Sequence, residues 1–207
     1  MSTTPLPFLL KVKPTQKKNK IMPQVNCPTL GHILASEECL ENLAGVGSVV
    51  YVGVKGDLDA PLSATDNTYG TPTFKSGKGL YKFDCKEEAQ KYAFSSLGRR
   101  KGYEITGTLV LEAVNKDTAK ILRAMNNLDL FLIFVDNDGS SLIVYDPTRK
   151  MEADSGGIAG DTGDTPDSDR QITMEYKLSP VAYPMYYVTA PTMGGWDSLL
   201  AESSSSE

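Results

Sequence analysis

His32 is the only histidine in the chain, so a Ser/His/Asp triad, a Cys/His pair and a multi-histidine metal centre are removed before any geometry is considered. A lone imidazole in an irregular stretch reads as a satisfied or solvated side chain. Cys27, Cys39 and Cys85 are odd in number and lack CxxC spacing, so neither a disulfide framework nor a zinc knuckle can be read from them. They read as free thiols of a reducing compartment.

Carboxylates offer the next chemistry. Asp154, Asp161, Asp164, Asp167 and Asp169 fall in one glycine-rich segment and could gather a cation or form an acid–base pair. The segment has no apolar wall to raise one carboxyl's pKa, and it reads as a solvated loop. Asp136, Asp138 and Gly139 have neither the ligand spacing nor the closing glutamate of a calcium loop, so they read as a hairpin turn. Gly77, Lys78 and Gly79 lack the GxxxxGK[ST] spacing and a following helix, so they do not cradle a phosphate. No catalytic residue, cofactor site or metal site is assigned.

One charged constellation remains. Arg99, Arg100 and Lys101 stand between Gly98 and Gly102 at a hairpin tip. They are either simply solvated or a contact for an acidic neighbour, and the same chain carries such acids in Asp161, Asp164 and Asp167. These six residues are the candidate contacts between subunits.

The elements that must position them belong to one ordinary soluble domain: 207 residues, 40% hydrophobic and 23% charged, suffice for one core. A net charge of −5 argues against a surface that grips nucleic acid by counterion release. Pro5 to Leu10 is far shorter than the ~20 residues of a membrane span, and its lysines follow it rather than precede it. No signal peptide or membrane span is read, and synthesis in the cytoplasm is expected.

Residues 1–38 form a proline- and lysine-bearing arm, with a short helix expected over Glu37 to Leu43 behind Ser36. Ser48 to Val54 is a β-branched run and reads as the first core strand. Asp57 to Gly79 reads as a long loop or a loosely paired ribbon, Leu80 to Phe83 as a short strand, and Lys86 to Phe94 as a strand. Glu104 to Ala113 alternates strictly, with Ile105, Gly107, Leu109, Leu111 and Ala113 on one face.

Lys116 to about Leu128 is the one strong helix, with a stripe of Ala119, Ile121, Leu122, Met125 and Leu128. Leu130 to Val135 is apolar on both faces, a strand covered from both sides, and Leu142 to Tyr145 is its hairpin partner. Met151 to Asp169 is expected to be a mobile acidic loop. Gln171 to Leu178 alternates again, with Ile172, Met174, Tyr176 and Leu178 inward, and Met185 to Thr189 is a last strand. Residues 191–207 read as a C-terminal segment with a polar, serine-rich tail. The sum is a mainly β fold, a β-sandwich or partly closed β-barrel with one flanking α-helix, long loops and extended termini.

This order of features resembles the tail tube (major tail) proteins of long-tailed bacteriophages. Cys39-Leu40-Glu41-Asn42-Leu43-Ala44-Gly45-Val46-Gly47 leading into SVVYVGV is similar to that family's entry into its first strand. Gly79 to Phe83, then Ser95 to Gly102 and the strand to Ala113, resemble its central hairpin. Asn115 to Asn127 is similar to its flanking helix, Phe131 to Tyr145 to the next hairpin, and Gly160 to Leu178 to its acidic loop and final strand.

The resemblance spans residues 39–190. It implies a non-enzymatic virion protein that assembles with copies of itself, six to a ring. Sheets would join into a continuous inner barrel, and rings would stack into a tube. DNA would pass without specific binding, and other tail proteins would be partners. Another virion protein, such as a head–tail connector or capsid-decorating protein, and a surface ligand-binding β-sandwich are the competing readings.

Overall fold

The computed structural model describes residues 45–112, 114–161 and 170–201, all within the compact unit Glu41–Glu207. The N-terminal arm with Cys27, His32 and Cys39, the expected helix Glu37 to Leu43, Asp164, Asp167 and Asp169, and the tail from Glu202 lie outside those residues.

The chain runs through β1 (Val46–Val54), β2 (Ala64–Thr65), β3 (Thr68–Tyr69), β4 (Tyr81–Asp84), β5 (Lys91–Ser96) and β6 (Tyr103–Leu111). It continues through α1 (Lys116–Met125), β7 (Leu130–Asp136), β8 (Ser141–Val144), β9 (Glu152–Asp161), β10 (Gln171–Val181) and β11 (Tyr187–Val188). Seven strands make one sheet in the order β2-β3-β11-β8-β7-β1-β4, and four make a second in the order β5-β6-β10-β9. The fold is the expected mainly β sandwich with one flanking helix, and among the described residues neither sheet closes into a barrel.

The run Leu130–Phe134 is buried throughout because β7 is covered on both faces. Leu132 and Phe134 point at the four-stranded sheet, where Gly107 leaves room for them. Phe131 turns the other way, onto Phe74 and Tyr145 with ring centroids 6.5 and 5.7 Å apart. It also lies across Gly53, its partner on β1, where any Cβ would overlap the ring. A glycine inside an otherwise β-branched strand therefore marks a close approach of an aromatic side chain.

The alternating strands behave as their pattern demands. Ile105, Gly107, Leu109 and Leu111 of β6 are buried, as are Ile172, Met174, Tyr176 and Leu178 of β10, paired antiparallel in register such as Leu109↔Met174. Each Ile, Leu and Met side chain among them contributes about 1.5–3 kcal/mol of burial.

Four expectations need correction. Residues 152–161 of the expected acidic loop form a strand, β9, which pairs with β10 in two runs: Gln171↔Asp161 through Met174↔Ile158, then Tyr176↔Ala153 and Lys177↔Glu152. Small residues hid it, because a strand supported on one side by an already formed neighbour needs little apolar alternation of its own. The strand expected from Lys86 begins only at Lys91. Residues 86–90 form a turn with Glu88 at φ 58° and Gln90 Nε2 donating to the Lys86 carbonyl at 2.5 Å.

Helix α1 ends at Met125, with Asn115 Oδ1 capping its start by accepting from the amides of Asp117 and Thr118 at 3.0 and 2.9 Å. Its stripe is only partly used: Leu122 and Met125 reach the core, while Ile121 and Leu128 remain 48% exposed. The last strand shrinks to Tyr187–Val188.

The C-terminal segment holds a core residue that no pattern in the sequence places there. Trp196, on a 3-10 turn over Gly195–Leu199, is buried against Tyr51 with ring centroids 6.1 Å apart. The segment is tied down by Leu80 N to the Leu199 carbonyl at 2.8 Å and Ala201 N to the Leu80 carbonyl at 2.9 Å.

Candidate assembly interface

The basic tip is a built turn. Leu97 N donates to the Gly102 carbonyl at 3.0 Å and Lys101 N to the Gly98 carbonyl at 3.1 Å, joining β5 to β6. Closing so tightly puts Gly98, Arg100 and Gly102 at φ 106°, 64° and 84°. Gly102 is also fixed by space, since a Cβ there would lie 2.5 Å from the Val181 carbonyl oxygen. The side chains of Arg99, Arg100 and Lys101 are all exposed.

Asp161, exposed at the last position of β9, lies opposite Gln171. Strand β6 begins beside the basic turn with Tyr103 opposite Val181 and ends with Leu111 opposite Ile172. The turn and Asp161 therefore occupy opposite ends of the four-stranded sheet, about 30 Å apart along the strands at ~3.3 Å per residue. They cannot pair within one subunit. The expected acidic partners Asp164 and Asp167 lie outside the described residues.

The same sheet has two outer strands, β5 and β9, that are each paired on one side only among the described residues. Every neighbouring pair in it is antiparallel, which makes β5 and β9 antiparallel to each other. The face turned away from the seven-stranded sheet carries Ala93, Ser95, Thr106, Thr108, Gln171, Thr173 and Ala159. On that face Glu104, Glu152, Asp161 and Glu175 outnumber Lys91 and Lys177, with Lys177 held 3.8 Å from Glu175.

The two outer strands differ in what they offer the space between the sheets. At β5, Phe94 follows the inward alternation opposite Ile105 yet stays 51% exposed. At β9, a cleft of about 430 Å³ is lined by apolar Met125, Leu128, Leu130 and Tyr176 and by polar Asn126, Asn127, Lys150 and Glu152, with Ala153 beside them. The Tyr176 hydroxyl is buried with no partner among the described residues, and burial raises its pKa to about 12. Sequence reasoning missed both features, because Phe94 sits among serines and lysines and β9 was unrecognised as a strand.

Other titratable groups have structural roles. Lys55 lies 3.8 Å from Asp129 and 5.3 Å from the centre of the Tyr145 ring, and it donates to the Arg149 carbonyl. Its burial lowers its pKa, against the pull of Asp129. Burial pushes the Cys85 thiol up to about 11, which leaves it unreactive at neutral pH. Among the described residues no group of three or more His, Cys, Asp or Glu could hold a metal, and no helix is long and apolar enough to cross a membrane.

Set beside known proteins, the chain matches no protein-family model, no curated protein and no solved structure.

Proposed function

We propose that this chain is a non-enzymatic structural subunit of a virion, a tail tube protein of a long-tailed phage, which assembles with its own copies into stacked rings through which DNA passes. The observation that carries the reading is the four-stranded sheet whose two outer strands are each paired on one side only among the described residues and run in opposite directions. Unpaired edges are hazards that soluble proteins normally cover or charge. When copies stand side by side in one orientation, β5 of one copy meets β9 of the next antiparallel, and the ladder continues unbroken in kind around a closed ring.

The remaining geometry supports the same arrangement. The outward face of this sheet would line the lumen; its small hydroxyl and amide side chains with an excess of carboxylates hold no phosphate backbone. The basic turn and Asp161 at opposite ends of the strands place opposite charges where one ring would meet the next. The decisive experiment is negative-stain microscopy of the purified protein across a concentration series. Rings or hollow tubes are expected, and a monomer at every concentration, with no ring or tube, would sink the proposal.

A further inference from the structure

We infer that Phe94 of one copy is the anchor that locks it to its neighbour, seated in the cleft beside the neighbour's Ala153. This rests on the ring reading above and names the residues that make the contact. Phe94 is the one large apolar residue of β5 that follows the inward alternation of the sheet and still stands half in water. The opposite flank of the same inter-sheet layer holds a cleft in which Met125, Leu128, Leu130 and Tyr176 stand beside the polar Asn126, Asn127, Lys150 and Glu152. One flank of the subunit carries a knob and the other a hole.

Their heights differ by two residues. Phe94 is opposite Ile105, which is opposite Leu178, while Ala153 is opposite Tyr176 on that same strand. Two residues, roughly 7 Å along the strand, separate the two levels. Continuing the sheet sideways, from β5 of one copy to β9 of the next, with a stagger of about two residues, the kind of shift that closing a sheet requires, therefore sets Phe94 level with Ala153 and brings the ring onto the cleft. Alanine at 153 leaves the mouth of the cleft open. Half-exposed aromatic side chains that fill a partner's pocket are the residues on which interface affinity concentrates.

Two experiments on the full chain test this. The first uses a background with Cys27 and Cys39 replaced by serine, into which Phe94→Cys and Ala153→Cys are introduced together. Within one copy these positions sit on strands three spacings apart, roughly 14 Å, beyond the ~7 Å limit between Cα atoms for a disulfide. Any bridge must therefore join two copies. With copper–phenanthroline and oxygen taking the two electrons and two protons from the thiols, a reducible ladder of oligomers is expected for the pair. Neither single variant should produce it.

The second experiment is Phe94→Ala, read by sedimentation. The variant should fold, since the side chain is already half exposed, but need a roughly tenfold or higher concentration to assemble; Phe94→Tyr should restore most of the loss. Failure of the unaltered protein to assemble would remove the ring reading and this one together. Rings that form normally in Phe94→Ala, with no ladder from the cysteine pair, would overturn the anchor alone.

Discussion

The indole N–H of Trp196 donates to the Ser141 hydroxyl at 3.0 Å inside the core, joining the C-terminal segment to β8 across the outer face of the seven-stranded sheet. Trp196→Phe keeps most of the ring but leaves the buried Ser141 oxygen without its donor, and about 1–3 kcal/mol of stability should be lost. Trp196→Ala, which also opens a cavity against Tyr51, should cost about 3–5 kcal/mol. Urea unfolding of both variants checks the order; unchanged stability in Trp196→Phe would mean that the hydrogen bond contributes nothing measurable.

Beside this indole, Tyr51 donates its hydroxyl to Asp197 Oδ1 at 2.8 Å. That bond, and then Lys82, holds the Asp197 carboxyl below its ordinary 3.8, while burial and Asp197 push Tyr51 up to about 12. A carboxylate whose folded-state pKa is depressed contributes stability that is fully present above the unfolded value and fades as pH falls through the folded one. Acidification below about pH 4 should thus loosen the C-terminal segment, read as a red shift of the single tryptophan's emission. Asp197→Asn should remove the acid dependence. Asp197 is well exposed, so the change is expected to be small and sensitive to salt.

The alternating strands were legible in the sequence because each has one face against the opposite sheet, so Ile105, Leu109, Met174 and Leu178 repeat at the period of the pleat. β9 was not legible for the converse reason. An edge strand hydrogen-bonded to β10 is specified by its neighbour's backbone, and its own Ala, Gly and Asp residues read as loop. The stripe of α1 was legible but its partial burial was not, because periodicity reports an apolar face and not what covers it. Trp196 was invisible: a single aromatic in a segment without periodicity carries no direction, and only the three-dimensional path of the chain brings it to Ser141. The candidate contacts were legible as charges, whereas Phe94 and Ala153 depend on which strands lie at the sheet's edges.

Leu109 is fully buried opposite Met174, and its neighbour Thr108 faces away, between Lys91 and Glu175. Leu109→Asp would place an unpaired charge between the sheets and should prevent folding. Thr108→Asp puts a carboxylate beside one like and one opposite charge, so it should shift stability by less than about 1 kcal/mol. Thermal melts in which the two variants behave alike would show that the sheet presents the wrong face to the core.

The basic turn tests how rings would meet along the tube. Arg99, Arg100 and Lys101 are exposed on a tip whose shape is set by Gly98, Gly102 and the left-handed Arg100, and not by their charges. Reversing all three to glutamate keeps a non-glycine side chain at the left-handed position and leaves the hydrogen bonds of the turn untouched, so circular dichroism and melting of the subunit should not change. What changes is the end of the sheet that, under the proposed stacking, would face the Asp161 end of the next ring, where attraction would become repulsion. Each exposed pair is weak, about 0–1 kcal/mol, but the contact repeats around the ring and the contributions act together. The triple variant should therefore still form single rings, because Phe94 and the strand edges are unaltered, while stacking into tubes is suppressed. High salt should produce the same loss in the unaltered protein by screening the pairs. Tubes of normal length growing at normal rates from the reversed variant in low salt would show that the turn is only a solvated hairpin tip.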